Sequence, residues 1–214
     1  AELFVHRAGG MDTVGVMVLF DKSPNALLAL ERPGLRHLAD LAGKLVAAPR
    51  ASFPRILFPE LRPKPPLNPS SVRMITLPPG DLLPALLGKR VDAVAASALV
   101  AHQYRAAARR RGHGVAVFPY ADAGVNPYSL LLVSVNSLFA KDPDLMRAFV
   151  RASAAALADA VESPRKAMEV FLKSNPELGR ERIRAEWRAA LNHIYAKSAR
   201  RAGLGRFEES RLEH

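Results

Sequence analysis

Cysteine is absent from the 214 residues, tryptophan occurs once, and aromatic residues make up only 7%. Without cysteine there is no structural disulfide, no thiolate zinc site and no cysteine nucleophile. A cysteine-free chain is compatible with export and does not require it. No apolar stretch is long enough to span a bilayer. The scarce aromatics are not interleaved with the basic runs, as a base-stacking surface would need. The net charge of +11 therefore does not by itself indicate nucleic acid. Its arginines lie along predicted helices, as Arg105, Arg109, Arg110 and Arg111, then Arg180, Arg182, Arg184 and Arg188, the pattern of solvated helix faces. No zinc spacing, helix-turn-helix pattern, Ser-His-Asp motif, phosphate-cradling glycine loop or dinucleotide fingerprint occurs. The histidines His6, His37, His102, His113, His193 and His214 show no close metal spacing. No metal, no cofactor and no nucleic-acid partner are expected. No leader peptide is visible, which is neutral because export removes one. The closing Leu212-Glu213-His214 fits a tag remnant and native sequence equally.

What is present is core material: 49% hydrophobic and 24% charged residues, the balance of a packed globular chain. Residues 14–20, 44–48, 72–77, 91–96, 115–120 and 128–136 read as strands, with a further apolar run at 26–30. Between them, helices are predicted at 36–41, 81–87 and 98–111, the last two closed by Gly88 and Gly112. Seven prolines between 49 and 69 exclude a long helix or a central strand there. Beyond residue 141, Asp142-Pro143, Ser163-Pro164 and Asn175-Pro176 each signal a helix start. The first of these helices places Leu145, Phe149, Ala156 and Val161 broadly on one face. The third does the same with Ile183, Trp187, Leu191 and Ile194, where Trp187 reads as core. Alternating strands and helices followed by helices alone predict an α/β fold with a mainly parallel sheet and a helical C-terminal layer.

Five phrases resemble one family in its own order. Residues 14–30, VGVMVLFDKSPNALLAL, are similar to a strand and loop in lobe one of bacterial solute-binding proteins for nitrate, sulfonates and thiamine precursors. Residues 38–49, LADLAGKLVAAP, resemble that family's entry into lobe two. Residues 82–94, LLPALLGKRVDAV, resemble a helix-to-strand phrase of lobe two. Residues 128–136 with 141–150, KDPDLMRAFV, resemble the return strand and its helix, and residues 163–178 resemble the stretch after it. The likeness is nearest to the receptors for thiamine-pyrimidine precursors. It implies the type II periplasmic-binding-protein fold, with two lobes of mainly parallel sheet. Residues 1–43 would be part of lobe one, 44–127 lobe two, and 128–214 the return to lobe one with the C-terminal helices. Roughly sixty or more residues of such a lobe one would precede residue 1, so lobe one is expected to be incomplete. The implied function is that of a non-enzymatic extracytoplasmic receptor, periplasmic or lipid-anchored. It would deliver a small polar or heteroaromatic ligand, a thiamine-pyrimidine precursor or a sulfonate-like molecule, to the membrane permease of an ABC importer.

Such receptors hold ligand by hinged closure, at strand carboxyl ends and helix N-termini. Four loops following predicted strands qualify. In the first, Ser23 and Asn25 suit a polar ligand, Asp21 a ring amine and Lys22 an acid; a plain turn is the equal alternative. In the second, Arg50 and Ser52 suit an anion and Phe53 a ring, against Phe53 as core and Arg50 as solvated. In the third, Ser97 stands where a helix begins, and capping is favoured over ligand contact. The fourth, with Tyr120, Asp122, Asn126 and Tyr128, lies at the return crossing; Tyr128 and Asn126 are favoured as contacts, and turn formation is the alternative.

Three other readings stand beside the receptor. An effector-sensing domain of a transcription regulator would share the fold and carry a DNA-binding helix pair before residue 1. A pyrimidine-synthase-like enzyme would also share it, but the cysteine-rich motif of that group has no counterpart here. A trimmed receptor that no longer binds ligand would cover its exposed apolar surface by self-association.

Overall fold

The structure is a computed structural model that describes residues 2–63, 66–196, 199 and 203–212. The elements begin with α1 (Glu2–Ala8), β1 (Thr13–Phe20), β2 (Asn25–Leu30), β3 (Leu45–Ala48), α2 (Phe53–Leu57), β4 (Arg73–Thr76) and α3 (Pro79–Leu87). They continue with β5 (Ala93–Ser97), α4 (Ala101–Arg109), β6 (Val115–Pro119), β7 (Ser129–Val135), α5 (Asn136–Lys141), α6 (Pro143–Glu162), α7 (Pro164–Ser174) and α8 (Arg180–Ile194). Of the closing tripeptide, Glu213 and His214 lie outside the described residues. The chain forms two compact units, Ala1–Lys22 with Pro127–His214, and Ser23–Asn126. The sequence reading sets the first boundary after residue 43. The structure puts residues 23–43 in the second unit instead, because β2 is an interior strand of that unit's sheet and Leu35, Leu38 and Leu41 are buried in its core.

The second unit is built on a five-stranded sheet in the order β4-β3-β5-β2-β6. β3 is parallel to β4 and β5, whereas β2 is antiparallel to β5 and β6. Strands β3, β4, β5 and β6 thus point one way and β2 opposes them. The sheet is mixed in its pairing, while most of its strands share the direction that the alternating pattern implies. Each co-directional step is made by a crossover carrying α2, α3 or α4, as parallel neighbours require. β2 enters directly through Pro24, with no crossover helix to set its direction.

Both faces of this sheet are covered. Leu27 and Ala29 of β2, with Val46, Ala48, Ala93 and Ala95, pack under the 35–41 segment, Phe58, Leu61 and Tyr120. Ala26, Leu28 and Leu30, with Ala47 and Val94, pack under Leu82, Ala85 and Leu86 of α3 and Ala101, Tyr104 and Ala108 of α4. The period-2 alternation of strand side chains is why NALLAL reads as a continuous apolar run and not as an alternating one. Each fully buried leucine here contributes about 1.5–3 kcal/mol.

The first unit holds a two-stranded antiparallel sheet of β1 and β7, with an irregularity in register between Gly15 and Met17. Leu130, Val133 and Val135 of β7 are exposed. Asp142 caps α6 as Asp-Pro predicts, accepting the Leu145 N–H at 2.9 Å. The third helix start differs from expectation: α8 begins at Arg180, not after Asn175-Pro176. The Asn175 amide is engaged backwards, donating to the Phe171 carbonyl at 2.9 Å, so it closes α7. Leu145 and Phe149 of α6 are about half exposed, at 55% and 51%.

Candidate functional site

In the second unit, the carboxyl ends of β3, β4, β5 and β6 and the start of β2 share one end of the sheet. Strand register brings Asn25 opposite Ser97 there. Ser23 is fully buried; its N–H donates to Asn126 Oδ1 at 2.8 Å, and its Oγ accepts from Asn25 Nδ2 at 2.9 Å. Ser97 Oγ accepts the Leu99 N–H at 3.2 Å, which caps the turn Ala98–Val100 leading into α4. The Pro24 carbonyl accepts the Ala98 N–H at 2.7 Å and ties the two strand ends together. Three sequence-predicted residues, Ser23, Asn25 and Asn126, therefore form one hydrogen-bonded cluster, and strand register sets the fourth, Ser97, opposite Asn25. The capping expected of Ser97 is present.

His102, on the first turn of α4, belongs to the same corner. Its Nδ1 lies 2.9 Å from the Leu99 carbonyl. A carbonyl only accepts, so Nδ1 carries the proton, and in the neutral ring Nε2 is an acceptor. Nε2 is buried without a hydrogen-bond partner among the described residues. Sequence reasoning weighed His102 only as a metal ligand; its distance of five residues from Ser97, one turn into the helix, is the signal that could have singled it out.

At the end of β3, Arg50 is exposed, and Ser52 and Phe53 are half-buried. Ser52 Oγ donates to the Pro49 carbonyl at 3.0 Å and makes no cap bond to α2. Tyr120 is not at this surface. It is fully buried, its ring lies in the core, and its hydroxyl donates to the Pro54 carbonyl at 2.7 Å. Burial pushes its hydroxyl pKa far up. The candidate ligand contact at Tyr120 is thus corrected to a packing role, because the chain turns this side chain inward just past the end of β6. Asp122 is exposed in the turn that follows.

Asp21, Lys22 and Tyr128 fall in the first unit, where a C-terminal segment organises them. Val18 N–H donates to the Gly205 carbonyl at 2.9 Å, which lays that segment against β1. Gly205 has φ +80°, and a Cβ there would stand 2.8 Å from Met17, so glycine is required. Asp21 is buried, with Oδ1 taking Arg211 Nη1 at 2.8 Å and Oδ2 taking the Ala199 N–H at 3.1 Å. The Arg211 guanidinium also lies 3.8 Å over the Tyr128 ring. Tyr128 Oη accepts the Glu208 N–H at 2.8 Å, and its ring meets Phe207 edge-on at 5.5 Å. Lys22 is held through its backbone, its N–H donating to the His193 carbonyl and its carbonyl accepting from His193 Nδ1 at 3.1 Å. Arg211 was invisible to the sequence reading because it lies 190 residues from Asp21.

An open groove of about 630 Å³ runs between α6 and α7, lined by Asp159, Lys166, Val170 and Phe171 among others, and holds none of the predicted residues. Among the described residues there is no group of three or more His, Cys, Asp or Glu placed to hold a metal ion, and no helix is long and apolar enough to cross a membrane.

Comparison with known proteins gives a family match and a set of structural likenesses. The family model described as NMT1/THI5 like matches residues 1–167. A search of curated proteins finds no match. Among solved structures, the periplasmic aliphatic sulphonate binding protein SsuA from Escherichia coli is similar, at 22% identity and TM-score 0.67, over 86% of this chain and 61% of that one. The alkanesulfonate-binding protein SsuA from Xanthomonas axonopodis pv. citri, bound to MOPS, is similar at 18% identity and TM-score 0.57, over 88% of this chain and 63% of that one. The ligand binding component of an ABC-type import system from Staphylococcus aureus, with zinc bound, is similar at 15% identity and TM-score 0.60, over 88% and 62%. The chain spans less than two thirds of the length of each of these structures. They share its fold, the periplasmic-binding-protein arrangement of mixed α/β units.

Proposed function

The chain belongs to the NMT1/THI5-like family, and from that premise we propose that it is the ligand-binding part of an extracytoplasmic solute receptor, serving an ABC importer and carrying out no catalysis. The observation that carries this reading is the convergence of Ser23, Asn25, Ser97 and Asn126 at one end of the second unit's sheet. Open α/β sheets bind ligands outside the carboxyl ends of their strands. Here that end offers hydroxyls, amides and the exposed Arg50 guanidinium, a donor-rich set suited to a small anion or a polar ring. Ser23 and Asn126 act mainly by fixing each other, while Asn25, Ser97, Arg50 and Ser52 face the ligand. The buried acceptor of His102 adds a place for a ligand N–H.

The ligand class follows from the same chemistry: a sulfonate-like anion held by Arg50, or a thiamine-pyrimidine precursor stacked on Phe53. Two of the similar structures are sulfonate-binding proteins, which supports the first. Asp21 and Tyr128 support the C-terminal segment of the first unit through Arg211, which argues for a positioning role for both. The partner would be the importer's permease, and the location periplasmic or lipid-anchored.

A thermal-shift screen against sulfonates, nitrate, thiamine precursors, riboflavin and aromatic carboxylates tests the reading. A ligand at a hundredfold excess over its Kd adds about 2.7 kcal/mol of apparent stability. One compound should raise Tm in a concentration-dependent way; Arg50→Ala should reduce that rise without lowering the unliganded Tm, and Asn25→Ala should reduce it while costing about 1 kcal/mol of stability through the lost bond to Ser23. No rise with any compound would count against an intact site, and turnover of the bound compound would overturn the receptor reading.

A further inference from the structure

The second unit carries its charge at one pole. Residues 23–126 contain fourteen Lys and Arg against six Asp and Glu, a balance of +8 within the chain's +11. The end of the sheet opposite the polar cluster is where β3, β4, β5 and β6 begin and β2 finishes, tied by Asp92 N–H to the Leu45 carbonyl and Glu31 N–H to the Gly114 carbonyl. Arg73 opens β4 there, Lys89 and Arg90 follow α3, and Arg109, Arg110 and Arg111 finish α4 before the turn into β6. All six are exposed, and none makes an ion pair among the described residues. The acids beside these strand ends are Glu31, Asp40 and Asp92; Asp92 is already paired with Arg32, and the Asp40 carboxylate accepts the Arg36 and His37 N–H groups. At the opposite end of the same sheet, Arg50 and Arg55 are balanced by Asp81 and Asp122.

We propose that this basic pole is an electrostatic docking surface for an anionic phospholipid bilayer. A specific protein interface would have apolar or aromatic anchors at its centre. The exposed large apolar side chains of this unit, Ile56 and Ile75, lie instead on α2 and toward the far end of β4. What the pole presents is guanidinium and ammonium groups, which attract a phosphate-rich surface without a fixed geometry. The choice of lipid over nucleic acid as the anion rests on the receptor reading, which puts the chain outside the cytoplasm.

The experiment is sedimentation of the full chain with phosphatidylcholine vesicles, with and without phosphatidylglycerol, at low and high salt. Binding should require phosphatidylglycerol and be lost at high salt, because exposed charges are screened. Each cation near an anionic leaflet is worth about fivefold in partitioning, so R109Q/R110Q/R111Q should weaken binding about a hundredfold. Neutralising three arginines of α8 in the first unit, R180Q/R182Q/R188Q, should weaken it much less. Thermal unfolding checks that each variant is folded, and K89Q/R90Q serves as a second probe of the pole should the triple variant fail. Binding to phosphatidylcholine alone, binding that survives high salt, equal losses in the two triple variants, or tighter binding to a DNA duplex would each overturn the proposal. The ligand-induced rise in Tm should be unchanged in R109Q/R110Q/R111Q, so a failed ligand screen and a failed vesicle assay are separate results.

Discussion

At the scale of single residues, side chains at the polar end of the second unit divide by what holds them. Asn126 Oδ1 is the acceptor for the N–H of a fully buried serine. Asn126→Ala leaves that N–H without a partner, which costs about 1–3 kcal/mol. A lowered Tm in thermal denaturation should show it, with Asn126→Asp, which keeps an acceptor, recovering most of the loss. Tyr120→Phe removes one bond to the Pro54 carbonyl and should cost about 1 kcal/mol. Because Tyr120 is core, the same variant should leave the ligand's Kd unchanged in a titration; a weakened Kd would return Tyr120 to the site. The contrast shows what was legible. Ser23, Asn25 and Asn126 could be found as polar residues in loops beside strands. Tyr120 stands in the same kind of loop, and nothing in the run VAVFPY tells which way the side chain after Pro119 turns. The carboxylate of Asp21 was legible, but not the Arg211 that meets it from far along the chain.

At the scale of elements, strand existence was readable from apolar runs, but strand direction was not. β2 and its neighbours are all short apolar segments, and only the absence of a crossover before Asn25 distinguishes the one strand that opposes the rest. Asp92 shows how a short phrase acts on this level. Its carboxylate accepts the Leu45 N–H at 2.8 Å while its own N–H bonds the Leu45 carbonyl, stitching the start of β3 to the start of β5. Partial desolvation pushes the Asp92 carboxyl up, and the Leu45 N–H and the Arg32 guanidinium together outweigh it, leaving the pKa below its ordinary value of 3.8. A carboxyl depressed in the folded state binds fewer protons there than in the unfolded chain near that pH, so stability rises with pH across the window. The contribution is present above 3.8 and is lost as pH falls through the lower folded value. Asp92→Asn should therefore flatten the acid limb of a stability-against-pH curve measured by urea denaturation, and an unchanged limb would place the acid sensitivity elsewhere.

At the scale of the molecule, the two units differ in how completely they cover their apolar surface. The second unit sandwiches its sheet between two buried clusters. Among the described residues the first unit pairs only β1 with β7, and leaves Leu130 and Val133 of β7, Leu145 and Phe149 of α6, and Val170 and Phe171 of α7 exposed. Helical spacing alone made α6 readable as amphipathic; whether the apolar stripe meets a partner is a property of the strands packed against it, which no local pattern reports. Apolar surface of this kind is driven out of water in proportion to its area, at about 25 cal/mol per Å², and concentrated patches of it mark contact surfaces. The chain is therefore expected to associate with further copies as its concentration rises, through the first unit. Sedimentation velocity over a concentration series should show a rising weight-average mass, and Phe149→Ser with Phe171→Ser should shift that rise to higher concentration. Both side chains are about half exposed, so the pair should cost the folded chain little of its Tm. A species that stays monomeric across the series, with weak binding of a hydrophobic dye, would show that this face is tolerated in water as it stands.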